Sequence, residues 1–363
     1  MINYYQPWLW PFLGLDRHET PPHIRRYYYF SFEDGLWDFL EKQREKGSVP
    51  LGSVILIPDF YCTDVINNIT HHGYVCELYP VDSNFQISEK ELLSRVKKAK
   101  ARIVIIFHVC GITSRVFNES LCKRLPKEVL IIEDGVHRLI NPSSVRLLDD
   151  RHILMDSIRK TTPLPGSFMC GPPRLLDEPQ TNQWFTWYTL VATTYFILFR
   201  LVFALAMLLS VPTLVVWAHN VLLQLHDDLI GDSVQGHGGL PFIPFVFDHI
   251  NFAKVSRMKI NQVRAYEEAL IPLIRNHKDV LYTVKMDEED YGKLRVYPLG
   301  FKRPHDEKLI EYLHEQDCIV WFGFPDAPWS RDRSVLLLPL GFHIHQKDIS
   351  HIADSLEQYL SNL

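Results

Sequence analysis

Short apolar runs, most of them ending in polar residues, constrain this chain more than any other feature. Residues 54–58, 75–81, 103–108, 129–132 and 153–155 are such runs, and amphipathic stretches over 64–72, 89–99 and 118–125 follow the first three. Strand-length apolar runs alternating with amphipathic helices specify a largely parallel sheet covered on both faces. Two of these runs stand out between Val129 and Gly171. One leads into Glu133, Asp134 and His137, the other into Asp156, Ser157 and Lys160. In an open parallel sheet the connecting loops splay apart at the C-terminal strand ends, and ligands bind there. A carboxylate and a lysine delivered to that edge by two strands make a candidate reaction centre.

The chemistry open to such a pair is specific. A lysine forms a Schiff base with a carbonyl compound, and pyridoxal 5'-phosphate (PLP) is the commonest cofactor of this kind. An acid facing the pyridine nitrogen keeps it protonated, so that the ring accepts electrons. Glu133-Asp134-Gly135-Val136-His137 resembles the E-D-x-x-H/Q element of fold type I PLP enzymes, in particular the DegT-type sugar aminotransferases. Ser157-Ile-Arg-Lys160 followed by Pro163-Leu-Pro-Gly166 resembles their Schiff-base lysine and the Gly-containing strand after it. Further elements follow in the family's order: the 54–58 run ending in Pro58 and leading to Tyr61 and Cys62, Gly73, Pro80-Val-Asp82, and the 103–107 run ending in His108-Val-Cys-Gly111.

The resemblance covers roughly residues 30 to 175 and implies roles for particular residues. Lys160 would hold PLP and shuttle the proton between substrate and cofactor carbons. Asp134 would keep the pyridine nitrogen protonated, His137 would lie near the ring or its phenolic oxygen, and Ser157 would contact the phosphate. Tyr61 and Cys62 fall where the family places an aromatic that stacks on the ring, with Cys62 at the stacking position itself. Ser31 through Gly35 matches the helix start whose N–H groups take the phosphate, a favourable place for an anion. Here that turn reads FSFEDG, and its two acids, Glu33 and Asp34, also suit a helix cap. Fold type I sites are completed by a second subunit, so the resemblance also implies a homodimer.

Composition narrows the partners. A net charge of −5 and a pI near 6.4 argue against a nucleic-acid binder, which would carry a basic face. The six cysteines show no C-x-x-C pair and no zinc-like spacing, so no metal is expected. Reduced cysteines at strand positions act as small hydrophobes. The aromatic, proline-interrupted N-terminal stretch lacks a basic leader, and a cytoplasmic location is expected.

One segment departs from what a soluble aminotransferase needs. Residues 184–225 are apolar almost throughout, with Arg200 the one formal charge and Pro212 a predicted bend between two helices. The run passes the length of about 20 residues for a membrane span, yet a central arginine costs about 2.5–3.5 kcal/mol on insertion scales. Three arrangements suit it: a helical hairpin buried between subunits or against the large domain, a monotopic insertion with Trp184, Trp187, Tyr188 and Trp217 near headgroups, or a full span. Residues 226–250 read as a Gly/Pro-rich crossing loop, resembling the segment that reaches a partner's cofactor.

The expected fold is therefore α/β of the fold type I PLP-transferase kind. An N-terminal arm (1–30) precedes a large PLP-binding domain (31–250) with a mostly parallel central sheet and the apolar helical insertion. A connector helix and small α+β C-terminal domain (251–363) complete it. The expected function is a PLP-dependent aminotransferase that takes an amino donor and a keto acceptor. By family resemblance alone the acceptor is a keto-sugar or lipid-linked sugar, as in polysaccharide biosynthesis. The alternatives are a non-catalytic PLP-fold scaffold docked at a membrane and a PLP enzyme of another reaction type.

Overall fold

The computed structural model describes residues 2–3, 6–179, 186–232 and 236–362. Along the chain the first elements are β1 (Ile2–Asn3), β2 (Arg25–Tyr29), α1 (Phe32–Glu45), β3 (Val54–Pro58), α2 (Thr63–His71), β4 (Val75–Tyr79) and α3 (Glu89–Ala99). There follow β5 (Ile103–Phe107), α4 (Glu119–Arg124), β6 (Leu130–Asp134), β7 (His152–Ser157), α5 (Ile158–Thr161) and β8 (Ser167–Gly171). Seven of these strands form one sheet in the order β2-β8-β7-β6-β5-β3-β4. β3 to β7 run parallel, and β8 turns back antiparallel between β7 and β2. The expected parallel sheet is present. The sequence placed residues 25–29 in an irregular arm, but Arg25–Tyr29 pairs with β8 as an edge strand. Its Tyr-rich run is a half-buried β surface.

Both faces of the sheet are covered, as near-continuous apolar strands require. Ile55, Ile57, Ile103, Ile105, Leu130, Ile132, Ile153 and Met155 face one core. Alternate residues such as Leu56, Val104, Ile106 and Ile131 face another, closed by Leu92, Val96 and Leu121 of α3 and α4. The first core continues without a break into the C-terminal domain through Tyr266, Leu299 and Phe301, so the two domains share buried surface where the site lies.

The apolar segment folds as a hairpin. α6 (Trp187–Leu209) ends at Ser210 in a left-handed conformation, and α7 (Pro212–Trp217) begins at the predicted bend. A π-helical stretch, Ala218–Leu223, runs on into α8 (Gln224–Asp232). Thr189, Ala192, Phe196, Phe199, Phe203 and Ala206 make the inner face of α6, spaced alternately by three and four as a packed helix requires. That face packs with Val215, Ala218 and Leu222 and with Ile319 of the C-terminal domain. Leu190, Ile197, Leu198, Leu201, Leu205 and Leu208 stay 40–71% exposed on the other side. By length and composition alone α6 is long and apolar enough to cross a membrane. Trp184 lies outside the described residues; Trp187, Tyr188 and Trp217 are exposed.

The loop read as crossing makes contacts within its own chain. Gly238 bridges to Tyr29, and both the backbone N–H and ring Nδ1 of His237 meet Asp34 Oδ1, at 2.9 and 3.0 Å. Residues 243–248, part of the same loop reading, form the helix α9 (Ile243–Asp248). The long connector α10 (Phe252–Asn276), capped by Asn251, leads into β9 (Leu281–Thr283), β10 (Val296–Phe301) and α11 (Glu307–Glu315). β11 (Cys318–Ile319) pairs with β1, while β12 (Trp321–Phe322) and β13 (Ser334–Pro339) complete the antiparallel order β12-β13-β10-β9, and α12 (Gln346–Ser361) closes the chain.

Candidate active site

The candidate site sits at the C-terminal ends of β5, β6 and β7. Leu130, Ile132 and Asp134 share one face of β6 by strand alternation, so the strand that packs the core also delivers a carboxylate at its end. Asp134 is 1% exposed. The Tyr61 hydroxyl donates to its Oδ2 at 2.5 Å, and the Val136 N–H donates to its Oδ1 at 3.0 Å. Burial pushes the Asp134 carboxyl up to about 7, and these two hydrogen bonds only partly offset that rise.

Lys160 lies in α5, a single turn entered directly from β7. Its amine and Asp134 line one cavity of about 500 Å3 together with Tyr61, Cys62, His137 and Ser157. That volume lies in the range of about 300–1,000 Å3 usual for small-molecule sites. Among the described residues no hydrogen bond or ion pair holds the Lys160 amine. The neighbouring Arg159 guanidinium, then burial and Arg295, bring its pKa down to about 8, against the pull of Asp227. Ser157 is buried, and among the described residues its hydroxyl also has no hydrogen-bond partner.

His137 packs between aromatic rings, tilted on Phe107 at 4.9 Å and stacked on Phe324 at 5.9 Å. Cys110 N–H points at its Nδ1 at 3.1 Å, and an Arg295 N–H at its Nε2 at 2.9 Å. Burial, followed by Arg295, holds the imidazole well below its usual pKa. A neutral ring carries one N–H and so accepts fully from only one of these donors.

The His108-Val-Cys-Gly111 turn explains this arrangement. Cys110 and Gly111 both have positive φ, 55° and 102°, and Cys110 N–H thereby reaches His137 while its carbonyl accepts Arg295 N–H. A Cβ at position 111 would sit 2.7 Å from both His137 O and Leu294 Cα. Only glycine fits there.

Six of the eight residues singled out in the sequence thus share one cavity: Lys160, Asp134, His137, Ser157, Tyr61 and Cys62. Ser31 and Gly35 do not line it. Ser31 caps α1, accepting Asp34 N–H at 2.9 Å and donating to Asp34 Oδ2 at 2.6 Å. Gly35 lies beneath the Tyr29 ring, which a Cβ would approach to 3.1 Å. Phe32 and Glu33 take the lining positions of that helix start.

Local pattern did not reveal Arg295 and Phe324, both brought to the cavity by the C-terminal domain. Phe324 has φ 38°, a strained value for a bulky residue of the kind that clusters at functional sites. Its setting between Gly323 and Pro325 was the one available signal.

The lining suits PLP in residue type. A lysine amine without a partner, a buried acid, an uncommitted hydroxyl and a helix start face one space. Two features depart from the pattern. Asp134 is already held by Tyr61, although a carboxylate oxygen has lone pairs for a second donor. Glu33 places a carboxyl at the helix start, where burial raises its pKa and its Oε2 has no hydrogen-bond partner among the described residues.

No family model matches the sequence, and no curated protein matches it. Solved structures do resemble the fold. DesV from S. venezuelae, solved in complex with a ketimine intermediate, aligns over 95% of this chain and 86% of its own, with 10% identity and a TM-score of 0.61. DesI, solved in the presence of its TDP-sugar product, aligns over 92% and 80% with 13% identity and a TM-score of 0.57. The alanine–glyoxylate aminotransferase of Nostoc sp. aligns over 94% and 82% with 13% identity and a TM-score of 0.53. The chain has the fold of the fold type I aminotransferases.

Proposed function

We propose that this protein is a PLP-dependent aminotransferase that moves an amino group from a small-molecule donor to a keto carbon, on a keto-sugar or lipid-linked sugar. The observation that carries the proposal is the Lys160 amine, unpartnered among the described residues and facing the same cavity as the buried Asp134 carboxyl. PLP bound there would supply an electron sink for the bond-breaking step.

The rest of the chemistry falls to the protein. Lys160 would hold the cofactor through Nζ, and its amine is the group placed to carry a proton to and from the substrate. An amine with a pKa near 8 both accepts and returns a proton close to neutrality. Asp134 would hold the ring nitrogen, and Tyr61 fixes the orientation of the carboxylate. Ser157 and the first turn of α1 would hold the phosphate. Glu33 stands at the same helix start, where burial raises its pKa and so lessens its repulsion of a phosphate. Cys62 would lie beside the ring, and His137, with both nitrogens facing donors, would act by orienting Arg295.

A homodimer and a membrane contact through the outer face of α6 belong to the same proposal. Freshly purified protein is expected to be yellow. Borohydride should fix the colour's carrier to the chain and abolish the absorbance band, and Lys160→Ala should be colourless. A colourless wild-type protein that takes up no added PLP would instead favour a scaffold, with the Tyr61–Asp134 bond filling the place of the ring nitrogen.

A further inference from the structure

The first turn of α1 carries two acids, Glu33 and Asp34, and they are used differently. Asp34 is committed to the fold. Its Oδ2 accepts the Ser31 hydroxyl at 2.6 Å, and its Oδ1 faces the His237 backbone N–H and ring Nδ1 at 2.9 and 3.0 Å. Glu33, the second residue of the helix, lines the cavity instead, together with Ser157 and Lys160. Its Oε2 is shut off from solvent and has no hydrogen-bond partner among the described residues.

A helix start holds an anion with a limited supply of donors, its first backbone N–H groups and the positive end of the dipole. In α1 that supply is already drawn on. Asp34 N–H goes to Ser31 Oγ at 2.9 Å, and the Glu33 carboxyl lies near enough to its own N–H for that group to favour the charged form. Arg159 and Lys160 of α5 also favour the charge and Asp227 of α8 opposes it, but burial outweighs them all and raises the carboxyl. Glu33 in turn helps to raise Asp134, Tyr61 and Cys62, so its charge is felt across the cavity. An acid on the solvent side of the same turn would gain the dipole interaction without the cost of burying an unpartnered oxygen. The inward placement of Glu33 therefore needs a reason beyond capping.

We propose that Glu33 is an internal plug at the helix start of the cavity, an acid of the chain's own that competes with the cofactor's phosphate for the first turn of α1. This rests on the aminotransferase proposal and adds what sets the selectivity of its cofactor site. PLP and unphosphorylated pyridoxal bring the same aldehyde to Lys160 and the same ring nitrogen to Asp134, and they differ at the end that meets Glu33. The plug narrows the preference between them. It gives the cofactor-free protein an occupied helix start and takes back part of what a phosphate there would contribute to binding.

The test measures Kd for PLP and for pyridoxal by equilibrium dialysis on the full chain stripped of cofactor, at one pH of about 8. The ratio of the two Kd values isolates the phosphate, because the contributions of Lys160 and Asp134 are common to both compounds. Glu33→Gln should raise the preference for PLP by about tenfold or more, through loss of a like charge, and leave pyridoxal within about twofold of wild type. Retained pyridoxal binding also shows that the variant is folded. Glu33→Ala, which frees the backbone N–H as well, should move the ratio in the same direction, and Glu33→Asp, which keeps the charge, should stay within about threefold of wild type. PLP uptake by Glu33→Gln where the wild type takes up pyridoxal alone would be the plug in its strongest form. A ratio equal to or below wild type in both Glu33→Gln and Glu33→Ala overturns the plug and leaves the aminotransferase proposal standing. Uptake of neither compound by wild type or variants sinks both.

Discussion

Asp134→Asn in the cofactor-free protein tests the electrostatic core of the site. Burial raises the Asp134 carboxyl from 3.8 to about 7. A folded-state pKa above the unfolded value means that the folded state binds the extra proton, so this group lowers stability as pH climbs from about 4 to 7. With 1.36 kcal/mol per pKa unit, the penalty is roughly 1.7 kcal/mol at pH 5 and roughly 4.3 kcal/mol at pH 8. Asparagine keeps the shape and has no charge to bury. Its stability relative to wild type should therefore rise by roughly 2.5 kcal/mol between pH 5 and pH 8. Urea denaturation of both proteins at the two pH values measures this, and other titrating groups cancel in the comparison. Parallel pH profiles for mutant and wild type would refute the reasoning, because they would mean that Asp134 ionises in the folded state as it does in water.

Tyr61→Phe removes the hydroxyl that stabilises the Asp134 carboxylate and raises its pKa further, so the loss of stability toward pH 8 should steepen by up to about 1.4 kcal/mol, read from the same urea series. The rate of PLP uptake should rise through pH 8 and then level off, because only the neutral Lys160 amine attacks the aldehyde and its pKa lies near 8; stopped-flow absorbance gives the midpoint, and a midpoint near 10.5 would contradict it. Gly111→Ala sets a Cβ against backbone atoms of both domains at positive φ and should cost roughly 2–4 kcal/mol in urea melts, with weaker PLP retention as Arg295 shifts. Leu201→Glu with Leu205→Glu, placed on the exposed face of α6, should move the protein from the vesicle-bound to the free fraction in flotation while leaving its colour unchanged; equal flotation of mutant and wild type would remove the membrane contact.

The strand ends were legible because burial and chemistry coincide there. An apolar run long enough for a strand, stopping at Asp134 or Ser157, must leave those side chains at the sheet edge, and the loops after parallel strands gather that edge into one place. Lys160 was legible for the same reason, one turn beyond β7. Ser31 and Gly35 do not line the cavity; a helix start offers two uses for a hydroxyl and a glycine, a cap and a ligand, and the sequence does not say which. Asp34 takes the Ser31 hydroxyl, and the Tyr29 ring needs the missing Gly35 side chain. Arg295 and Phe324 were not legible, since they reach the site through packing of the small domain on the Gly111 turn, a long-range event with no local period. The hairpin's bend at Pro212 was written in the chain, but which face of α6 turned inward depended on Ile319 and its neighbours.

Most of the displaced pKa values in the cavity favour the uncharged form; Asp227 is the exception, since burial would raise its carboxyl but Arg159 and Lys160 hold it below its usual value. Glu33 and Asp134 rise and Lys160 falls, so each group is pushed toward its uncharged form. The cavity is lined by Glu33, Asp64, Asp134, Asp227 and Asp228 and by Arg159, Lys160 and Arg295, of which Asp227 and Arg159 pair with each other. Such displacement costs stability, and a structural ion-pair network would have moved the acids downward, as it does Glu133, whose carboxyl burial would raise but which hydrogen bonds to His108 and His152 hold well below its usual value. Glu133 and Asp134 are adjacent in the chain and lie on opposite faces of β6, one acid paired to hold the structure and its neighbour left with a charge to share. A ligand with a positive ring nitrogen at Asp134 and a carbonyl at Lys160 would recover that cost on binding. The shifts of Asp134 and Lys160 are thus what the proposed cofactor would offset.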